Sequence, residues 1–226
     1  MDKLLKLTNE GSHTILSTQF DATYHSHHGA IQETRTVFIE AGFLYLVEQG
    51  YKQIDLLEIV FGTGLNAFMT LLKAKETGTA VNYVSYEAYP IGVELAAKLN
   101  YPAFLAAENQ EEQFLKMHRH PDESIQFKIR EAFLFDFLLK VALFENIDDK
   151  EAFDLIYFDA FAPSTQAYLW ETPFLEKMYK ALRPEGILVT YCAQGAFKRA
   201  LKAVGFHVKG LPGPIGKREI TFAQKK

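Results

Sequence analysis

LLEIVFGTGLN, running from Leu56 to Asn66, decides how the rest of the chain is read. Ile54, Leu56, Leu57, Ile59 and Val60 form an apolar run of strand length, Gly62 and Gly64 permit a tight turn with close backbone approach, and Asn66 to Lys75 has helical spacing. A buried strand that passes through a glycine turn into a helix is a cofactor-placing unit, because the helix start and the bare turn offer backbone N–H groups to a ligand. Val81 to Tyr86 reads as a second strand, and Glu87 after it sets a carboxylate where two ribose hydroxyls could donate. A bound nucleoside is the expectation.

Outward from that unit, Ile125 to Ile129 reads as a third strand, Phe153 to Phe158 (FDLIYF) as a fourth and Gly186 to Tyr191 as a fifth. Helices are expected over Ile91 to Leu99, Asn109 to Met117, Ala132 to Leu143, Trp170 to Leu182 and Gly195 to Val204. Phe206 to Val208 and Glu219 to Phe222 have no helix between them and read as an antiparallel closing pair. Strands alternating with helices predict a Rossmann-like α/β fold with a seven-stranded, mostly parallel sheet. Ligands of such sheets bind outside the carboxyl ends of the strands, where Gly62, Glu87 and Asp159 fall. The main domain is expected over 50–226. Residues 1–49 differ in texture and predict an N-terminal extension packed on it: a short strand at His13 to Thr18, a polar, histidine-rich stretch at Tyr24 to Gly29, and helical spacing from Ala30 to Gln49 broken at Gly42.

The 226 residues, 48% of them hydrophobic, suffice for a full α/β core. No apolar run reaches the roughly 18 residues of a membrane span, and MDKLLKLTNEGSH lacks the apolar stretch of a secretory signal, so a cytoplasmic protein is expected. A single cysteine, Cys192, excludes an internal disulfide and suits a reducing compartment; at the end of an apolar strand it reads as a packing residue rather than a nucleophile. His25, His27 and His28 are crowded but have no acid or thiol at ligand spacing, so a surface loop or substrate contacts are expected and no metal. The formal net charge of −4 is unevenly spread: from Glu176 onward eleven Lys or Arg residues face three acids, a local balance of +8 that leaves the rest at −12. That asymmetry suits a polyanion docking at one end, although solvated helix faces would give the same count.

Gly62 to Ala67 fits GxGxxA, which taken alone does not separate NAD from S-adenosylmethionine. Glu58, inside the strand, favours the second, since a buried carboxylate is costly unless paired and a cationic or amine-bearing ligand would relieve it. In FDAFAP, Phe158 to Pro163, Asp159 ends a buried strand at the cofactor mouth. A carboxylate there can orient an amine in line with a sulfonium methyl and take up its proton, or it can simply cap the following turn. Trp170, just past that loop, is a core anchor or a wall of a base pocket. GLPGPIGKRE, Gly210 to Glu219, is a loop whose Lys217 and Arg218 could grip phosphates.

Six blocks, GSHTILSTQFDATYHSHHGAIQETRTVFIEAG, LEIVFGTGLN, YEAYP, FDLIYFDAFAP with its following Trp, VTYCAQG and GKRE, resemble in order and across nearly the whole chain the tRNA 5-methylaminomethyl-2-thiouridine methyltransferase family, called MnmD alone and the methyltransferase half of bifunctional MnmC. The resemblance implies a class I methyltransferase fold, S-adenosyl-L-methionine as donor, and methylation of the aminomethyl group of a tRNA wobble uridine, with the anticodon stem-loop as partner. It makes Glu58, Gly62, Gly64 and Asn66 the cofactor turn, Glu87 the ribose acid, Glu131 an adenine contact, Asp159 the acid that holds the substrate amine, and Trp170, Lys217, Arg218 and Glu219 substrate-binding residues. Three positions depart from the family pattern: Val60 stands in place of a glycine, Arg130-Glu131-Ala132 in place of Gly-Asp-Ala, and Ala22 in place of an acid. The FAD-dependent half of MnmC is absent from this sequence, so no flavin chemistry is expected. The rival readings are an NAD-dependent oxidoreductase using the GxGxxA turn and a non-catalytic nucleoside-binding module.

Overall fold

The computed structural model describes residues 3–119, 123–130 and 134–226. Three short strands, Lys3–Leu7 (β1), His13–Ser17 (β2) and Ala22–Thr23 (β3), form an antiparallel sheet of their own. Then come Gln53–Ile59 (β4), Ala80–Glu87 (β5), Ile125–Arg130 (β6), Leu134–Val141 (β7), Phe153–Phe158 (β8), Leu182–Thr190 (β9), His207–Pro212 (β10) and Glu219–Gln224 (β11). These eight build the main sheet in the order β10-β11-β9-β8-β4-β5-β7-β6. β4 pairs in parallel with β5 and β8, while β11 lies antiparallel between β9 and β10. Strand order reverses at β4, so the crevice for a ligand opens beside its carboxyl end.

The α/β class follows the sequence expectation, but the sheet has eight strands rather than seven. Leu134–Val141, inside the stretch expected as a helix, is the third parallel strand, paired with β5, and β6 is an antiparallel edge against it. Phe135, Phe137 and Leu139 are fully buried while Leu134, Asp136 and Leu138 are partly exposed. That is the period of two of a strand with one face buried, masked in LFDFLLKV by its density of leucine and phenylalanine. Between β5 and β6 the two expected helices shorten to single turns, Val93–Ala96 and Tyr101–Phe104, and to Glu111–Lys116. The helix expected from Trp170 begins at Thr172 with Pro173 in its first turn, and Trp170 closes the preceding 3-10 turn.

Gly42 does not break the N-terminal helical stretch. Ala30–Thr34, Arg35–Leu44 and Tyr45–Glu48 run on continuously, the middle part wound in wide π turns. Glycine is needed there for approach: a Cβ on Gly42 would lie 3.1 Å from Tyr157 and Val189 and 3.3 Å from Leu155. Val37, Phe38, Ile39 and Phe43 thereby enter one core with β4 and with helix Leu65–Thr77. The start of this helical run is capped from outside it, the Glu10 carboxylate accepting the Ile31 N–H at 2.7 Å and the Gln32 N–H at 3.3 Å. On the other face of the sheet, helices Thr172–Ala181 and Gly195–Val204 cover Ile156, Phe158 and Leu188.

Candidate active site

The backbone past β4 is shaped by three left-handed residues, Val60 at φ +71°, Gly62 at +57° and Gly64 at +73°. The two glycines also have no room for a side chain. A Cβ on Gly62 would sit 2.8 Å from the Tyr24 ring, and one on Gly64 would sit 2.7 Å from His118 and Phe61. Val60 keeps the left-handed backbone without being glycine, a strained state for a β-branched residue.

Neighbouring strands hold the turn. The Phe61 N–H donates to the Tyr86 carbonyl at 3.1 Å, and the Asp159 N–H to the Ile59 carbonyl at 3.2 Å. Glu87 accepts the Gly62 N–H on Oε2 at 2.9 Å and the Tyr89 N–H on Oε1 at 2.8 Å. Burial raises the Glu87 pKa and these backbone donors pull it back. Each of its oxygens keeps a lone pair, so the carboxylate can still accept from a ligand.

A cavity of about 430 Å³ opens at this end of β4 and β8, walled by Tyr24 and His25, by Val60 to Thr63, by Asp159 to Ala162, and by Glu33, Tyr191 and Lys217. Asn66, one residue into the helix, donates from Nδ2 to Asp159 Oδ2 at 2.9 Å. Burial and the nearby Glu33 charge push the Asp159 pKa well up, against the Asn66 hydrogen bond and the positive charge of Lys217. Lys217 pairs with Glu33 and lies over the Tyr191 ring, 4.0 Å from its centroid.

Of the other expected residues, only some reach the cavity. Glu58 lies wholly buried behind the turn and outside the cavity wall, accepting the Ser85 hydroxyl at 2.7 Å. Its Oε1 has no partner among the described residues, and burial pushes its pKa up to about 8, so protonation relieves the buried charge without a cationic ligand. Trp170 donates from Nε1 to the Phe161 carbonyl at 2.8 Å and packs on Phe158 and Phe197, anchoring the FDAFAP loop from behind. Glu219 pairs with Lys198 at 2.5 Å, and Arg218 is exposed beside Gln194 at a neighbouring depression. Glu131 lies outside the described residues. His25, expected on a surface loop or at the substrate, is buried with Nε2 2.7 Å from the Thr63 hydroxyl, and burial lowers its pKa to about 4. Cys192 is buried, which raises its thiol pKa.

Tyr24, Glu33 and Tyr191 complete the cavity and escaped the residue-level reading, although each lies in a block that carries the family resemblance. Among the described residues no helix is long and apolar enough to cross a membrane, and no three His, Cys, Asp or Glu residues are grouped to hold a metal.

A reversing parallel sheet, a glycine turn at the reversal and a carboxylate ending the next strand define a class I, nucleoside-cofactor α/β enzyme. Residues 106–226 match the family model described as S-adenosyl-L-methionine-dependent methyltransferase, and the chain belongs to that family. The bifunctional tRNA 5-methylaminomethyl-2-thiouridine biosynthesis protein MnmC of Cupriavidus metallidurans is 28% identical over 233 residues, 96% of this chain and 33% of that protein. Its namesake in Pseudomonas entomophila is 30% identical over 212 residues, 89% of this chain and 32% of that protein. The chain thus spans about a third of the length of the curated relatives it matches. The crystal structure of MNMC2 from Aquifex aeolicus superposes with a TM-score of 0.77 at 25% identity, covering 100% of this chain and 71% of that one. Spermidine synthase from Thermotoga maritima, at 0.57 and 16% identity over 99% of this chain and 72% of its own, shares the fold. The donor is therefore S-adenosyl-L-methionine, which displaces the NAD reading. The site has room for it: the cavity beside the glycine turn, about 430 Å³, is within the usual range of about 300–1,000 Å³ for small ligands, and the Glu87 carboxylate, outside the cavity wall, ends the neighbouring strand.

Proposed function

We propose that this enzyme methylates the aminomethyl group of 5-aminomethyl-(2-thio)uridine at the tRNA wobble position, giving the 5-methylaminomethyl nucleoside. The observation that carries the reading is the Asp159 carboxylate, set in the cavity wall beside the glycine turn and held by the Asn66 amide at 2.9 Å. The names of the relatives supply the substrate. When bound, S-adenosyl-L-methionine supplies a methyl group activated by its sulfonium.

The chain's own residues do the rest. Gly62 and Gly64 let the turn close against Tyr24, His118 and Phe61 where the donor would lie, and Glu87 would take its ribose hydroxyls. An aminomethyl group arrives mostly as an ammonium, which has no lone pair to attack with. Asp159 accepts one of its protons, and the raised proton affinity of this carboxylate narrows the gap to the amine. The deprotonated nitrogen would then have its lone pair free for the methyl group that the bound donor would supply. Asn66 and Thr34 hold the carboxylate in one orientation.

Of the basic residues after Glu176, Lys177, Arg183, Lys198, Lys217 and Lys225 bond to protein acceptors. Lys180, Arg199, Lys202, Lys209 and Arg218 are exposed, and from these we assign Arg218, at the depression beside the cavity, to the anticodon stem-loop phosphates. Mass spectrometry of wobble nucleosides in tRNA from cells lacking the gene tests the function. Accumulated aminomethyl-uridine, converted by purified enzyme and labelled donor, is expected; an unchanged nucleoside profile with no label transfer would refute it.

A further inference from the structure

Lys217 is a surface-loop lysine that faces inward. Its ammonium pairs with Glu33 Oε1, whose side chain is only 8% exposed, and it lies 4.0 Å from the centroid of the Tyr191 ring. The other Glu33 oxygen accepts the Ser26 N–H at 2.9 Å, which fixes the carboxylate. All of these side chains line the cavity that Asp159 also lines. A primary alkylammonium held by a carboxylate, with an aromatic face against it, is the contact set that an aminomethyl substrate would present to the same wall. Glu33 at this depth needs a cation, because a buried carboxylate stripped of its partner is strongly destabilising. Exchange of one ammonium for another keeps the charge balanced.

The lysine also has a way out. It follows Gly216, at φ +86°, in the connection between β10 and β11, where β10 is an edge strand and Ile215 is exposed. The connection packs on the His28 ring, and moving it off that ring leaves every inner strand pair of the sheet in place.

We propose that Glu33 and the face of Tyr191, beside Asp159, form the subsite for the substrate ammonium, and that Lys217 fills it as an internal stand-in until an ammonium-bearing substrate displaces it. The proposal deepens the aminomethyl reading above and rests on it for the identity of the natural substrate.

The test is an NMR titration of n-butylammonium chloride into the S-adenosylhomocysteine-loaded protein, as wild type, Lys217→Met, Lys217→Gln and the double variant Glu33→Gln/Lys217→Met. Both single variants should bind saturably, and the wild type about tenfold or more weakly, since a site filled by its own lysine nine-tenths of the time loses that factor in apparent affinity. The double variant should not bind. Absence of binding in the single variants, or equal binding with and without Glu33, overturns the proposal. With Glu33 stripped of its cation, both single variants should melt below the wild type and recover on addition of n-butylammonium, and no recovery in either overturns the proposal. No tRNA enters the titration, so a failed tRNA assay beside clean butylammonium binding would sink only the aminomethyl-uridine reading, and the converse result only this one.

Discussion

The Asn66 amide donates to Asp159 Oδ2 at 2.9 Å while its own oxygen accepts the Thr34 hydroxyl at 2.9 Å. One side chain thus links three parts of the chain, the N-terminal helical run, the helix after the glycine turn and the end of β8, and aims the carboxylate. Asp159→Ala should lower turnover by about 10² or more, the scale of lost acid-base catalysis, with S-adenosylhomocysteine affinity kept within about threefold. Asn66→Ala removes one hydrogen bond and should cost about tenfold in turnover, equivalent to about 1.4 kcal/mol. Single-turnover methyl transfer to tRNA carrying aminomethyl-uridine, alongside calorimetry with S-adenosylhomocysteine, measures both. A fully active Asp159→Ala enzyme removes the role assigned to this residue.

The glycine turn, the carboxylate ending β5 and the strand that leads into Asp159 were legible because each is local: an apolar run, two glycines, a carboxylate at a strand end. The partners were not. Glu33 reaches the site from a helix and Lys217 from the last loop, 184 positions apart, and nothing in the spacing of either residue announces the pairing. The same limit hid β7, whose strand character comes from burial of alternate side chains between β5 and β6. Glu58 shows a different shortfall. The sequence places a carboxylate in a buried strand and does not say whether a ligand or a proton will neutralise it.

Val60 gives a sharp test of backbone strain. At an ordinary position alanine is preferred to glycine by about 0.5–1 kcal/mol, but at φ +71° glycine is released from a cost of about 1–3 kcal/mol. Val60→Gly should therefore be more stable than Val60→Ala, by about 1 kcal/mol, although it buries less apolar surface. Denaturant melts of the two variants decide the point, and the reverse order would show that the turn carries no such strain.

Gly42 tests the fit of the helical run on the sheet. An added methyl would meet Tyr157 and Val189 at 3.1 Å, both buried and unable to swing away, so Gly42→Ala should destabilise by about 1–3 kcal/mol despite its better helix propensity. Were the glycine a helix break, the same substitution would stabilise. Thermal unfolding distinguishes the two signs directly.

Glu58 and His25 make stability depend on pH in opposite senses. His25 and His118, each lowered to about 4 by burial, stay neutral in the folded protein, so their contribution is present above the unfolded value of 6.5 and is lost as pH falls toward 4. Glu58, raised to about 8, keeps a proton that the unfolded chain releases near 4.5, so its contribution is complete below 4.5 and is lost as pH rises through 8. Between pH 6.5 and 8 the slope from the histidines fades and that from Glu58 remains. Unfolding free energy should fall with pH across that window, and Glu58→Gln should make the decline shallower by up to about 1.4 kcal/mol per pH unit. Urea titrations at half-unit pH steps read this slope. An unchanged slope in Glu58→Gln would mean that the wild-type side chain is already ionised at pH 6.5, held by a partner on its free oxygen.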